Sequence, residues 1–174
     1  MKRLLIWLPL AVFAAVLWLI AFGQFKPADR IVRSAMVGKP VPAIALPALV
    51  PGKPGIEGGF GAGKPRLINV FATWCIPCIA EAQELMKLKR AGVEIDGVAT
   101  ADSADAMQAF LAQNGDPFAR IGDDRERKVQ FALGSAGVPE TFVVDARGVI
   151  VDQHIGAVRG DDVPGLLRKL EAAK

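Results

Sequence analysis

The stretch Arg66 to Thr73, RLINVFAT, narrows the possible folds more than any other part of the chain. Its near-continuous apolar character is that of a central strand covered on both faces. Such a strand needs a layer on each side, and the segments downstream have the patterns to supply them. IAEAQELMKLKRAG, from Ile79 to Gly92, places Ala82, Leu85, Met86 and Leu88 close to helical spacing, and Gly92 ends the element. A strand is predicted at Val93 to Thr100. A second helix follows, capped by Asp102 or Ser103 and running to about Gln113, with Met107, Phe110 and Leu111 inward. Pro117 to Ile121 reads as a short extended piece and Asp123 to Leu133 as a third helix. Thr141 to Asp145 and Val149 to Ile155 read as a hairpin around Ala146-Arg147-Gly148, and Asp161 to Ala173 as a closing helix. This order describes an α/β fold with a mixed central sheet, parallel in part, flanked by helices.

Before the central strand the chain is rich in Gly and Pro. Pro40, Pro42 and Pro47 forbid a helix there, so the segment is read as extended edge structure and loop. Within it, Gly58 to Lys64 matches the first seven positions of a phosphate-binding P-loop, but Pro65 stands where that motif needs Ser or Thr. A P-loop also follows a strand and opens a helix, whereas this segment leads into a strand. It is read as a flexible turn.

Nineteen residues without a charge, Leu4 to Phe22, begin just after Lys2 and Arg3. As a helix rising ~1.5 Å per residue they are enough to cross a hydrocarbon core of ~30 Å. The run exceeds the h-region of a signal peptide, roughly 7 to 15 residues, and Ala21-Phe22-Gly23 is a poor cleavage site. We therefore expect an uncleaved transmembrane anchor over residues 1–23, a linker over 24–37 and one catalytic domain over 38–174. A long domain after so short a lead is expected to be exported. Of the basic residues, Lys2, Arg3, Lys26, Arg30 and Arg33 precede Gly38, with Asp29 their only acidic companion. The net charge of +3 therefore belongs to the N-terminus. The body is nearly neutral, which argues against a nucleic-acid partner.

The chain has two cysteines, Cys75 and Cys78, and one histidine, His154. Four zinc ligands are not available from that set, and His154 reads as an ordinary strand residue. A structural disulfide over so small a loop would restrain little chain entropy. Redox chemistry suits the position. Cys75 falls between strand and helix, where free N–H groups and the helix dipole favour a thiolate, and Cys78 lies one turn on. We expect Cys75 to be the exposed attacking thiol and Cys78 the shielded one. In an exported domain the pair would meet an oxidising compartment, so a reducing role needs an outside source of electrons.

LINVFATWCIPC, Leu67 to Cys78, resembles the thioredoxin-like proteins. GSAGVPETFVVD, Gly134 to Asp145, resembles the DsbE (CcmG) branch of thiol:disulfide interchange proteins, which serve cytochrome c maturation. The two motifs stand about sixty residues apart, and the likeness covers nearly the whole chain. It implies a thioredoxin-like fold, Cys75 as attacking and Cys78 as resolving thiol, and Pro139 as a cis-proline whose loop pairs with substrate backbone. Trp74, Val138, Pro139 and Glu140 become candidate substrate-binding residues, Trp74 being equally readable as packing beside the site. Glu81 and Glu140 match acidic residues that the family places near its active site.

Two departures stand out. The family's usual Gly-Val before the proline loop is Gly134-Ser135 here, and Asn69 occupies the strand position where general thioredoxins bury an aspartate. An amide cannot relay a proton, so Glu81 becomes the candidate acid or base, against the plainer reading of a solvated charge on a helix face. The resemblance further implies no cofactor and a bacterial inner-membrane location, single-pass, with the domain in the periplasm. The client would be apocytochrome c at its Cys-x-x-Cys-His haem site, and the electrons would come from a membrane thiol donor. Three alternatives stay open: reduction of another exported client such as a copper-site assembly protein, a Cu(I) chaperone that uses both thiolates, and a peroxidase, for which Thr73 alone speaks.

Overall fold

The computed structural model describes residues 7–24, 32–60 and 62–174. It divides into an N-terminal unit, whose described part is a helix, and a second unit over Val32–Lys174. The helix, α1, runs Leu8–Gln24, 17 residues. At ~1.5 Å per residue it spans about 25 Å, short of a ~30 Å hydrocarbon core. Among the described residues no helix is long and apolar enough to cross a membrane. Leu4 to Ile6, the start of the expected anchor, lie outside the described residues.

The second unit contains β1 (Ala45–Leu46), β2 (Ile56–Glu57), β3 (Arg66–Phe71), α2 (Ile76–Arg90), β4 (Ile95–Thr100), α3 (Ala104–Asn114), β5 (Arg120–Asp124), α4 (Lys128–Ala132), β6 (Glu140–Val144), β7 (Ile150–Ile155) and α5 (Val163–Ala172). The five long strands form one sheet in the order β5-β4-β3-β6-β7, and β1 pairs with β2. β3, β4 and β5 are parallel, while β6 and β7 run antiparallel to their neighbours, so the sheet is mixed as expected.

β3 is central, and its residues alternate between the two faces. Leu67 and Phe71 enter a core with Leu85, Leu88, Met107, Phe110, Leu166 and Leu170 from α2, α3 and α5. Ile68 and Val70 enter another with Leu46, Ile56, Val129 and Leu133. Each fully buried side chain of this size contributes ~1.5–3 kcal/mol. Phe71 stacks on Phe118 with ring centroids 4.4 Å apart. At the N-terminal ends of the parallel strands, buried Asp96 accepts from Arg66 at 2.8 Å and from Arg120 at 2.6 Å. This pins the end of the sheet farthest from the cysteines.

The proline-rich segment lies along both outer strands. Near the start of β7, Ile150 N–H donates to Lys39 C=O and Gly38 N–H to Ile150 C=O. On β5, Ile121 N–H donates to Pro54 C=O and Asp123 N–H to Pro47 C=O. The approach is close: a Cβ on Gly122 would fall 2.6 Å from Leu46 Cβ.

One expected helix is corrected. Asp123 to Leu133 is divided between β5 and the short α4, and the extended piece placed at Pro117 to Ile121 lies further on, at Arg120–Asp124. The charges of this stretch suit a strand at the sheet edge. Asp124, whose backbone pairs with Thr100, uses its carboxylate to accept the N–H groups of Val129 and Gln130 at the start of α4.

Candidate active site

The parallel strands deliver their C-terminal ends to one side of the sheet, and β3 leaves it at Phe71. The chain turns through residues 72–75 and starts α2 with Cys75 as the N-cap and Pro77 in the first turn. Pro is well placed there, because the first N–H groups of a helix have no internal partner. Cys75 and Cys78 form a disulfide with Cα atoms 5.2 Å apart. Cys78 N–H donates to Cys75 Sγ at 3.2 Å. Once the bond is reduced, that donor and the helix dipole favour negative charge on Cys75. The expected contrast in exposure is not found: Cys75 is 5% exposed and Cys78 2%. In the oxidised state both belong to the buried cluster that holds Phe71, Ala72 and Ala82. Large exposed apolar side chains surround them: Trp74, Ile76 and Ile79.

The turn is held from the connection that follows β4. Asp102 accepts Thr73 N–H at 2.7 Å, the Thr73 hydroxyl at 2.8 Å and Ser103 N–H at 2.9 Å. Trp74 Nε1 donates to Ala101 C=O at 3.2 Å, and Ala101 takes φ 49°, uncommon for a residue with a Cβ. Of the two possible caps for α3, Ser103 serves, its hydroxyl accepting Ala106 N–H. Trp74 is thus both tethered and 55% exposed.

Behind the disulfide lies a buried carboxyl. Glu81 is 1% exposed, because the loop after β7 folds over it. Val158 N–H donates to Oε2 at 2.9 Å and Asn69 Nδ2 to Oε1 at 3.0 Å. Desolvation outweighs both bonds and pushes the carboxyl up to about 7. The reading of Glu81 as a solvated helix-face charge is therefore corrected. Asn69 also donates to Thr141 Oγ1 at 3.0 Å, while its buried Oδ1 has no partner among the described residues. A half-turn of that amide would let Oδ1 accept a proton held on Glu81, so the pair can accommodate both charge states.

Pro139 lies across the sheet. β6 runs antiparallel to β3 with Glu140 opposite Val70, which sets Pro139 beside the end of the strand that leads to Cys75. The Val138–Pro139 bond is cis. Val138 packs against the buried cluster that includes both cysteines. Its backbone N–H and C=O take no hydrogen bond among the described residues. Glu140 faces inward, accepting Ala136 N–H at 3.0 Å, Gly137 N–H at 3.1 Å and Gln153 Nε2 at 2.7 Å. His154 stands apart on β7, its Nε2 3.4 Å from Ala157 C=O and 3.7 Å from Asp162 Oδ2. Thus Cys75, Cys78, Glu81, Trp74, Val138 and Pro139 gather at one end of the sheet, with Glu140 beneath the loop. Sequence reasoning passed over Val158 and Gln153, and saw Asp102 only as a possible cap. Asp102 alone offered a signal, as an acidic residue just past a strand end.

Comparison with known proteins decides the family. The Redoxin family profile matches residues 36–170. The chain is 38% identical over 161 residues to the thiol:disulfide interchange protein HelX of Rhodobacter capsulatus, covering 92% of each. It is 40% identical over 159 residues to DsbE of Pseudomonas fluorescens, covering 91% of this chain and 88% of the relative. The chain belongs to the DsbE family of thiol:disulfide interchange proteins. Among solved structures, a DsbE from Chlorobium tepidum superposes with a TM-score of 0.63 at 28% identity, covering 77% of this chain and 94% of that one. A secreted disulfide oxidoreductase of Mycobacterium tuberculosis gives 0.63 at 25% identity, over 74% and 96%. This DsbE-family chain has the thioredoxin-like fold and is a thiol:disulfide oxidoreductase.

Proposed function

We propose that this protein is a membrane-anchored periplasmic reductase that opens the disulfide of the Cys-x-x-Cys-His haem site in apocytochrome c. The observation that carries the reductive direction is buried Glu81, one helical turn beyond Cys78. A carboxylate there opposes a second negative charge and raises the pKa of a nearby thiol. Destabilising the thiolate favours the oxidised protein, which makes the dithiol a better donor of electrons. The anchor is supported by the uncharged run from Leu4 to Phe22 and by α1, whose described side chains from Leu8 to Leu19 are all exposed and apolar.

The chemistry balances as two exchanges. The Cys75 thiolate attacks one client sulfur, the other client sulfur leaves as a thiolate and takes up a proton, and a mixed disulfide remains. Glu81 accepts the proton of Cys78, whose thiolate attacks Cys75 Sγ and expels the second client thiolate. The client is reduced by two electrons and Cys75–Cys78 is oxidised. A membrane thiol donor then returns the pair to the dithiol. During attack, Val138 offers its free N–H and C=O to the client backbone, and Trp74, Ile76 and Ile79 offer apolar contact.

The reduction potential tests the direction. A value near thioredoxin's ~−270 mV is expected, and one near DsbA's ~−120 mV would overturn it. Exchange with an oxidised Cys-x-x-Cys-His peptide, compared with the same peptide ending in Ala, tests the client. Equal rates for the two would shift the reading to another exported disulfide, and tight Cu(I) binding without exchange would shift it to a chaperone.

A further inference from the structure

Behind the cis-proline loop runs a chain of buried hydrogen bonds that starts at the N-terminal edge of the domain. Glu140 Oε1 holds the N–H groups of Ala136 and Gly137, and its Oε2 accepts Gln153 Nε2. Gln153 Oε1 in turn accepts the backbone N–H of Ser34 at 2.7 Å. The Ser34 hydroxyl donates to Leu133 C=O at 2.5 Å and accepts Met36 N–H at 2.9 Å. Ser34, Glu140 and Gln153 are all buried. Gly134 sits against this hydroxyl: a Cβ there would fall 2.6 Å from Ser34 Oγ, and its φ is +69°.

One serine outside the sheet therefore grips both ends of the segment 133–140. It takes the beginning directly at Leu133 and the end through Gln153 and Glu140. The carboxylate turns the Ala136 and Gly137 N–H groups inward, while the adjacent Val138 N–H and C=O remain without partners among the described residues. We propose that Ser34 and Gln153 are positioning residues that brace the loop, so that the segment leading into the domain sets the edge on which a client disulfide pairs. The proposal rests on the reading that Val138 pairs with client backbone. It adds that affinity for an extended client depends on residues remote from the sulfurs, whereas reaction with a small disulfide does not. Loss of a buried hydrogen bond in such a relay corresponds to roughly a tenfold effect.

The test uses the reduced full-length chain in detergent, with Ser34→Ala and Gln153→Met. Three substrates are compared: glutathione disulfide, a peptide cyclised through a disulfide, and the same peptide N-methylated at the residue that pairs with the loop. The expected result is a KM for the parent peptide raised five- to tenfold in each variant with kcat kept. Rates with glutathione disulfide and the N-methylated peptide should stay within twofold of wild type, and amide exchange at Ala136 and Gly137 should speed up. Equal losses on all three substrates, or an unchanged parent peptide, would overturn the brace. If N-methylation makes no difference in the wild type, the pairing edge itself is wrong and the brace falls with it. Gln153→Met cuts the link to Glu140; Ser34→Ala removes one hydroxyl and keeps the measurement available if the other variant does not fold.

Discussion

Glu81 is stabilised in the state that most carboxyls avoid. Its carboxyl is raised from an ordinary 4.5 to about 7, so the folded protein holds the proton more tightly than the unfolded chain. The contribution of this proton to stability is complete below pH 4.5 and is lost as pH rises through 7, where the buried anion costs roughly 3 kcal/mol. Glu81→Gln keeps an acceptor for Val158 N–H and gives Asn69 Oδ1 a donor. In the oxidised protein the variant should therefore unfold at a higher temperature than wild type above pH 7, with the gap closing toward pH 4. A gap independent of pH would remove the buried-proton account. In the reduced protein the same substitution should lower the pKa of at least one of the two thiols and make the potential less negative. For the sulfurs, Cys78→Ser should accumulate a covalent adduct with an oxidised peptide and Cys75→Ser should not. Adduct on Cys75→Ser alone would reverse their roles.

The turn between β3 and α2 depends on Asp102, an acid in the connection between β4 and α3. Replacing it by Ala leaves the Thr73 N–H, the Thr73 hydroxyl and Ser103 N–H without their shared acceptor, and should cost about 1–3 kcal/mol by denaturant unfolding. The loss should come with a faster reaction of the reduced thiols with a small alkylating agent, since the turn that carries buried Cys75 into α2 is loosened. Unchanged alkylation would confine Asp102 to a stabilising role. Sequence reached the elements whose signal is local: β3 from its apolar run, α2 and α3 from their periodicity, and the hairpin from Ala146-Arg147-Gly148. The bounds of β5 are not legible locally, because the strand that fixes them, β4, lies more than twenty residues earlier. Glu81 was ambiguous for a related reason, since the residue that covers it, Val158, is 77 positions away. The cysteine pair was legible because its chemistry is concentrated in a short motif, and the cis-proline only through the resemblance of Gly134 to Asp145 to the family. The hydrogen bonds from Ser34 were not, because a lone serine before a proline-rich segment carries no pattern.

Over the whole molecule the charge is divided. The N-terminal part is basic on both sides of its uncharged run and the domain is nearly neutral, and the anchor proposed above is tested on the whole chain. The full chain should sediment with membranes after high-salt washing and be released by detergent, whereas a soluble product beginning near Gln24 would overturn the anchor.

The Gly38–Pro54 segment, which lies along both outer strands of the sheet, bears on the order of folding. It is synthesised before every strand it covers, yet its partners at Ile121 and Ile150 come from the second half of the chain. Until those strands are made, the segment has nothing to bond, and its own backbone groups stay open to pairing with other chains. Closing this belt is therefore a late event set by distant contacts, and a nascent domain halted before β7 is the form most exposed to aggregation.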